Sequence, residues 1–179
     1  MFRIVAVLVS LLVCVNGPAL ADRSDNEDGM TIARMNDLID AVGYTVTRPA
    51  DGQWRFRIEG IPVFVVTDTR ANRMRILVGI TKTESIPETL FRRLMQANFD
   101  TTLDARYAIA RDIVWAAYLH MFKSLSDAEF LSGIGQTVNL ARTIGKTYSS
   151  GGIAYGGGDS SGIIERELIE KLLEKGLAI

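Results

Sequence analysis

Residues 158–162 spell Gly-Asp-Ser-Ser-Gly and match the G-x-S-x-G pattern that carries the nucleophile of many serine hydrolases. That nucleophile needs a strained turn between a buried strand and a helix, whereas Ser160 lies in a glycine-rich stretch without an apolar strand directly before it. His120 and Asp127 could complete a triad in chain order, but their spacing alone brings no acid, base and nucleophile together. The sequence therefore predicts no catalytic residues.

The residue types that bind metals or cofactors are scarce. His120 is the only histidine and Cys14 the only cysteine, whereas transition-metal sites combine several such ligands. The acidic run over 22–29 lacks the alternating spacing and the closing glutamate of a calcium-binding EF-hand loop. The glycines are not followed by the Lys-Ser or Lys-Thr pair of a phosphate-binding loop. We expect neither a metal nor a cofactor.

The first 21 residues predict export. Arg3 supplies a positive charge, residues 4–15 are almost wholly apolar, and a small-x-small cleavage site ends at Ala21. The apolar run is shorter than the roughly 20 residues of a membrane span. We therefore predict a signal peptide over 1–21, cleaved between Ala21 and Asp22, and a periplasmic or secreted protein without stable membrane insertion after cleavage. An uncleaved N-terminal anchor is the alternative.

Removal of these 21 residues from the 179 leaves 158, shifts the formal net charge from −1 to −2 through the loss of Arg3, and removes Cys14. The remaining chain has no disulfide chemistry and must be stabilised by its core alone. A chain of about this length buries enough surface for one domain. Its nearly neutral charge gives no reason to expect nucleic-acid binding.

Apolar spacing predicts an alternation of helices and strands. A period near 3.6 marks the helices, a period of two marks the strands, and Asp51-Gly52 is a strong hairpin turn signal. Ser85 is expected to cap the second helix and Ser126 the third, each with a glutamate three residues later. The predicted elements are a helix over 30–42, strands over 44–47, 54–59, 61–67 and 73–80, a helix from 85, strands over 105–110 and 113–121, and a helix over 126–148.

These elements predict four segments after the signal peptide. They are a polar acidic leader over 22–29, an α+β domain over 30–149, a Gly/Ser-rich flexible linker over 150–162, and an amphipathic helix over 163–179. The last helix could dock on its own domain, pair with a second copy or contact a partner.

The element order resembles the YbjN-type family, whose fold is that of type III secretion chaperones. The local matches are the helix over 30–42 that leads into Gly43-Tyr44, the hairpin over 54–63, the Leu-Met-Gln-Ala-Asn run over 94–98, and the closing helix over 126–149. The resemblance implies an α+β fold, an antiparallel sheet meander packed with helices at both ends and in the middle. It also implies a non-enzymatic, often dimeric, protein-binding or regulatory module. The export signal and the extra C-terminal helix differ from secretion chaperones.

Two surfaces are candidates for binding. In the strand over 112–121 both faces are apolar, so Val114, Ala116, Tyr118 and His120 must be covered either by a helix of this chain or by a dimer partner or client. In the strand over 61–67, Phe64 and Val66 are assigned to the core. The other candidate is a basic docking face on the meander, which a merely solvated face could also explain. It comprises Arg55, Arg57, Arg73 and Arg75.

The sequence thus predicts an exported, periplasmic, non-enzymatic module of the chaperone-like or regulatory type. Its partners would be client proteins and a second copy of the chain in a homodimer. The alternatives are a small exported hydrolase that uses Ser160 and an envelope-associated structural protein.

Overall fold

A computed structural model of the chain describes residues 29–100, 102–144 and 161–179. Within these residues six strands form one antiparallel sheet and four helices pack with it, so the α+β prediction is confirmed. The elements in chain order are α1 (Ile32–Val42), β1 (Tyr44–Ala50), β2 (Gln53–Ile58), β3 (Ile61–Asp68), β4 (Arg73–Lys82), a 3-10 turn (Thr83–Ser85), α2 (Glu88–Asp100), β5 (Arg106–Ala110), β6 (Ile113–His120), α3 (Asp127–Arg142) and α4 (Ser161–Gly176).

The strands follow the order β1-β2-β3-β4-β6-β5 across the sheet. The first four strands form the expected meander, and the hairpin turn at Asp51-Gly52 has Gly52 at a φ of 70°, a value that glycine adopts without strain. The chain then passes through α2 to the far edge, where β5 and β6 form a second hairpin and β6 pairs with β4.

The core lies on one face of the sheet, under α3. Trp54 and Phe56 of β2 point into it, and directly opposite them in β3 stand Val65 and Val63. Because opposite residues of an antiparallel pair share a face, Val63 and Val65 are buried. The assignment of Phe64 and Val66 to the core is therefore wrong, since β3 is apolar on both faces and only its register with β2 distinguishes them.

The strand register also corrects the candidate surface on β6. Ala116 stands opposite Val78 and Tyr118 opposite Ile76, so both point into the core, as does Val114. The helix α3 covers this face within the chain, and a Cβ at Gly133 would lie 2.8 Å from Tyr118 Cε1. Val114, Ala116 and Tyr118 are therefore not a free binding or dimer surface, while His120, at the end of β6, is half-buried.

Local capping explains where the helices begin. The side chain of Thr31 accepts from the Arg34 N–H at the start of α1, and Ser126 and Glu129 form the expected capping box at α3. Ser85 does not cap α2, which begins at Glu88. Because Pro87 excludes the helical conformation from the residue before it, Ile86 is extended, with φ −118° and ψ 134°, and the chain cannot be helical from Ser85 onwards.

The C-terminal helix α4 docks on its own domain, against α3 and α1. Leu168 and Leu172 are buried there, and the contact with α3 is close because a Cβ at Gly135 would lie 2.6 Å from Ile169 Cγ1. Glu59 accepts from Arg142 and, at 3.3 Å, from Lys171 Nζ. These two partners, Arg142 foremost, hold the pKa of Glu59 below its usual range.

Some predicted features lie outside the described residues. These are the signal peptide with its cleavage site at Ala21 and Asp22, most of the acidic leader, the linker over 150–160, and Ser160. The helix predicted from residue 163 begins at Ser161. Among the described helices, none combines the length and the apolarity that crossing a bilayer requires.

Candidate protein-binding surface

The sheet face opposite α3, which we call the outer face, combines apolar and basic side chains. The strand register aligns one row across it, in which Arg55, Phe64, Leu77, Ala117 and Arg106 stand opposite one another in turn. The apolar residues occupy the middle of this row and the arginines its ends. The outer face is thus an apolar strip with basic margins.

Two aromatic side chains form the centre of the strip. The rings of Phe64 and Trp115 meet edge to face, with centroids 6.5 Å apart, a favoured aromatic geometry. Trp115 lies beside Gly79, directly opposite in β4, where a Cβ would touch the indole at 3.4 Å. Its Nε1 donates to the carbonyl oxygen of Ala110 at 3.0 Å. The guanidinium of Arg55 lies 5.5 Å from the Phe64 ring centroid, within cation–π range.

A second row extends the strip towards the end of β6. Val66 and Leu119 flank Arg75 in the register, and their exposed fractions are 38% and 56%. Met121, just beyond β6, is exposed as well. Exposed apolar surface bordered by polar residues is typical of a protein-binding site, and in this row Arg75 divides it.

The four arginines of the predicted basic docking face, Arg55, Arg57, Arg73 and Arg75, are all exposed. Within the described residues none of them forms an ion pair. Arg57 and Arg73 donate only to backbone carbonyls, of Gly60 at 2.6 Å and Asn72 at 3.1 Å. Their charges therefore remain available to an acidic partner, and a docking role for them stays a prediction.

The candidate catalytic residues do not form a triad in the described part of the chain. Asp127 forms an ion pair with Arg34 at 2.7 Å. His120 instead faces Glu129, at 3.9 Å, and its Nδ1 lies 2.8 Å from the Met121 carbonyl oxygen. Ser160 lies outside the described residues. Nor do the described residues hold a cluster of three or more histidine, cysteine or carboxylate side chains placed to bind a metal.

Sequence reasoning located the arginines but proposed the other face of β6, with Val114, Ala116, Tyr118 and His120, as the binding surface, and so missed Trp115 and Leu119. The signal that could have placed them is the register, because the clear alternation of β4 fixes the faces of its neighbour. Gly79 opposite Trp115 is a further sign, since a glycine in a strand often makes room for a large side chain across the pair.

No protein-family model matches the chain, and a search of curated proteins gives no match. Among solved structures, the chain is similar to one in the structure of the HopA1-SchA chaperone-effector complex, with 10% sequence identity and a TM-score of 0.51. The alignment covers 64% of this chain and 92% of that chain. At this identity the likeness shows the fold alone: the six-stranded sheet and its helices form a secretion chaperone-like α+β fold.

Proposed function

We propose that this chain is a non-enzymatic, chaperone-like module that holds an apolar segment of a client protein on the outer face of its sheet. The single observation that carries the proposal is the apolar strip, half-buried at Phe64 and Trp115 and exposed at Val66 and Leu119, beside arginines that form no ion pair within the described residues. A structural neighbour from a chaperone-effector complex supports a protein as the partner. The finer assignment to the YbjN-type family is part of the same proposal.

The physical chemistry of the outer face defines the client. Covering Phe64, Trp115 and Leu119 removes apolar surface from water at a gain of roughly 25 cal/mol per Å². The arginines at the margins attract carboxylates and repel basic side chains, so they select the client and speed its encounter. The preferred segment is therefore apolar in its middle and acidic at its ends. Binding needs no cofactor and no covalent step.

The test uses the two tryptophans of the chain as paired reporters. Trp115 lies on the outer face, whereas Trp54 is 2% exposed in the core. In protein labelled with 5-fluorotryptophan, an acetylated leucine-rich peptide with glutamates at both ends is expected to shift the fluorine resonance of Trp115. Trp54 should not respond. A matched peptide with lysines at both ends should bind at least about ten-fold more weakly, as expected for reversing charges near the arginines.

Charge reversal supplies the matched variants. The double variant Arg55→Glu with Arg57→Glu should bind the glutamate-ended peptide at least about ten-fold more weakly. Arg166→Glu, an exposed change on α4, should leave its binding unchanged. Peptide binding that does not shift the Trp115 resonance would place the site elsewhere on the molecule. Equal affinities for the two peptides would show that the arginines do not select the client.

We also propose that the module acts in the periplasm. The N-terminal segment supports this, because its charge, apolar run and small-x-small site follow the order of a signal peptide. N-terminal sequencing of the protein from a periplasmic fraction is expected to begin at Asp22. A cytoplasmic protein that retains residues 1–21 would contradict the proposal for location while leaving the client-binding test unaffected.

A homodimer is the remaining part of the proposal. A separate set of apolar side chains is exposed on α2 and the residues that follow it, at the β5 edge of the sheet. These are Met95, Phe99, Leu103 and Ile109. Asn98 joins the two elements, since its side chain bonds to both backbone groups of Tyr107 in β5. We call this set the α2 patch and assign it to contact with a second copy.

A further inference from the structure

A cavity of about 590 Å³ lies at a notch in the sheet edge. β5 begins at Arg106, which pairs with Ala117, whereas β6 continues to His120, so the last residues of β6 have no β5 partner. The first turns of α3 close the notch. A cavity of this size accommodates a small-molecule ligand. The lining residues are Asp104, Arg106, Tyr118, Leu119, His120, Ala128, Glu129, Ser132, Gln136 and Leu173.

Tyr118 is the most buried residue in the lining of the cavity. Tyr118 is 4% exposed, and its ring is covered by α3 at Gly133. Within the described residues its hydroxyl makes no hydrogen bond. The hydroxyl oxygen is not among the fully enclosed atoms without a partner, so it opens into the cavity. There it can exchange a hydrogen bond with a bound ligand.

Two carboxylates, those of Asp104 and Glu129, line the cavity together with one guanidinium, that of Arg106. Burial, with smaller contributions from Asp104 and Glu129, raises the pKa of Tyr118 to about 12, so its hydroxyl keeps its proton at neutral pH. The backbone N–H and the hydroxyl of Ser126 bond to Glu129 Oε2 at 2.8 and 2.9 Å and hold the pKa of Glu129 low. Glu129 is thus ionised, and its Oε1 remains directed towards His120.

The neighbouring side chains leave few donors free. His120 Nδ1 lies 2.8 Å from the Met121 carbonyl oxygen, which only accepts, so the Nδ1–H group is engaged there. His120 Nε2 and Glu129 Oε1 are 3.9 Å apart, too far for a direct hydrogen bond. The amide N–H groups of Gln136 are engaged, at 3.3 Å with Asp104 Oδ2 and 3.1 Å with Ser132 Oγ.

The one arginine in the lining is held by its own segment of chain. Its Nη1 donates to Thr102 Oγ1 at 2.8 Å and to the carbonyl oxygens of Leu103 and, at 3.0 Å, Ala105. What would complement the free acceptors is therefore a cation with several N–H groups. Leu119 and Leu173 supply apolar wall for an aliphatic stem.

We propose that this cavity binds an aliphatic primary ammonium, with the charged group among Asp104, Glu129 and the Tyr118 hydroxyl, and the stem along Leu119 and Leu173. The ligand is a small free amine or a lysine side chain of a polypeptide, which share this chemistry. The site adjoins the outer face, with which it shares Arg106 and Leu119, but Tyr118 and His120 point to the opposite side of β6 from Trp115.

The test is a titration of the full chain, labelled with ¹⁵N, with n-butylammonium chloride. Saturable shifts are expected at the backbone amides of residues 118–120 and at Ser132. n-Butanol, which has the same stem without the charge, and sodium chloride at equal ionic strength should leave these amides unchanged. Asp104→Asn should weaken binding by at least about ten-fold, the cost of a lost charge-assisted hydrogen bond. Glu84→Gln, an exposed carboxylate change, should have no effect.

Two further measurements complete the test. Tyr118→Phe removes only the hydroxyl and should weaken the binding of n-butylammonium about three-fold or more. The other resonances should remain those of the folded protein. Tighter binding of Nα-acetyl-lysine methylamide than of n-butylammonium would assign the site to a lysine side chain, and weaker binding would assign it to a free amine. Equal shifts from n-butanol, or unchanged binding in Asp104→Asn, would overturn the proposal.

Discussion

Asn98 protects the open edge of the sheet. Its Oδ1 accepts from the Tyr107 N–H at 2.7 Å, and its Nδ2 donates to the Tyr107 carbonyl oxygen at 3.0 Å. One side chain thus replaces a neighbouring strand at this residue. Gln136 does the same for the N–H of Ala105, at 3.1 Å. Because unpaired strand edges recruit other chains, these two amides limit strand addition at β5.

Asn98→Ala should therefore cost about 1–2 kcal/mol of the free energy of unfolding, because the two hydrogen bonds from the Asn98 side chain to the backbone of Tyr107 are lost. Urea denaturation measures this change. Arg92→Ala, an exposed change on the same helix, should stay within about 0.5 kcal/mol. An equal effect of the two substitutions would show that water replaces Asn98 without loss and that its role at the edge is negligible.

Individual residues differ in how well the sequence foretells their roles. The basic side chains of β2 and β4 were placed correctly, because strict alternation with apolar neighbours leaves them only the solvent side. The edge role of Gln136 was not foreseeable, since its partners are about 30 residues away in sequence, at separations of 31 and 32. Such a contact depends on how α3 is placed over β5, which no local pattern encodes.

At the scale of elements, periodicity predicts the type of an element better than its orientation. Trp54 and Arg55 fix the faces of β2 because one is apolar and the other charged. In β3 and β6 both faces are apolar, and a shift of one residue exchanges them. The outcome is decided by pairing with β2 and β4, which already have defined faces. The sequence therefore predicted only part of the outer face, and hence only part of the candidate site.

The helix α4 shows the complementary case. Its amphipathic spacing is clear in the sequence, but the spacing left open whether it docks on its own chain, a second copy or a partner. In the structure α3 and α4 approach each other closely at two glycines, Gly135 beside Ile169 and Gly176 beside Leu131. Shape at these contacts, more than the apolar stripe itself, selects the position of the helix, and sequence periodicity carries no information about such pairs.

At the scale of the whole molecule, the exposed surfaces separate into two with different chemistry. The outer face carries arginines, so two copies that met there would bring like charges together. The α2 patch is apolar and lies on α2 and at the β5 edge of the sheet. Since a symmetric dimer brings the same patch of both copies together, the uncharged patch is the better site for self-association. The outer face is then left free for the client in each copy.

This division predicts the behaviour of one substitution. Phe99 is 74% exposed, the largest exposed fraction among the apolar residues of the α2 patch. In a symmetric dimer Phe99→Asp removes an aromatic contact from both copies, each worth about 1.5–3 kcal/mol. Dimer affinity should therefore fall by at least a hundred-fold, given about 1.4 kcal/mol for each factor of ten.

Analytical ultracentrifugation over a range of concentrations measures this dissociation, and Leu119→Asp on the outer face is the matched control. Leu119 is also exposed and apolar, so its substitution by aspartate should weaken the glutamate-ended peptide but leave the dimer intact. A wild-type chain that sediments as a monomer throughout, or a dimer lost in Leu119→Asp and kept in Phe99→Asp, would contradict the assignment. Because Leu119 lies on the outer face and Phe99 on α2, the combined results of the two variants also show whether client binding requires the dimer. If Phe99→Asp dissociates the copies and the peptide still shifts Trp115, each copy carries a complete binding surface.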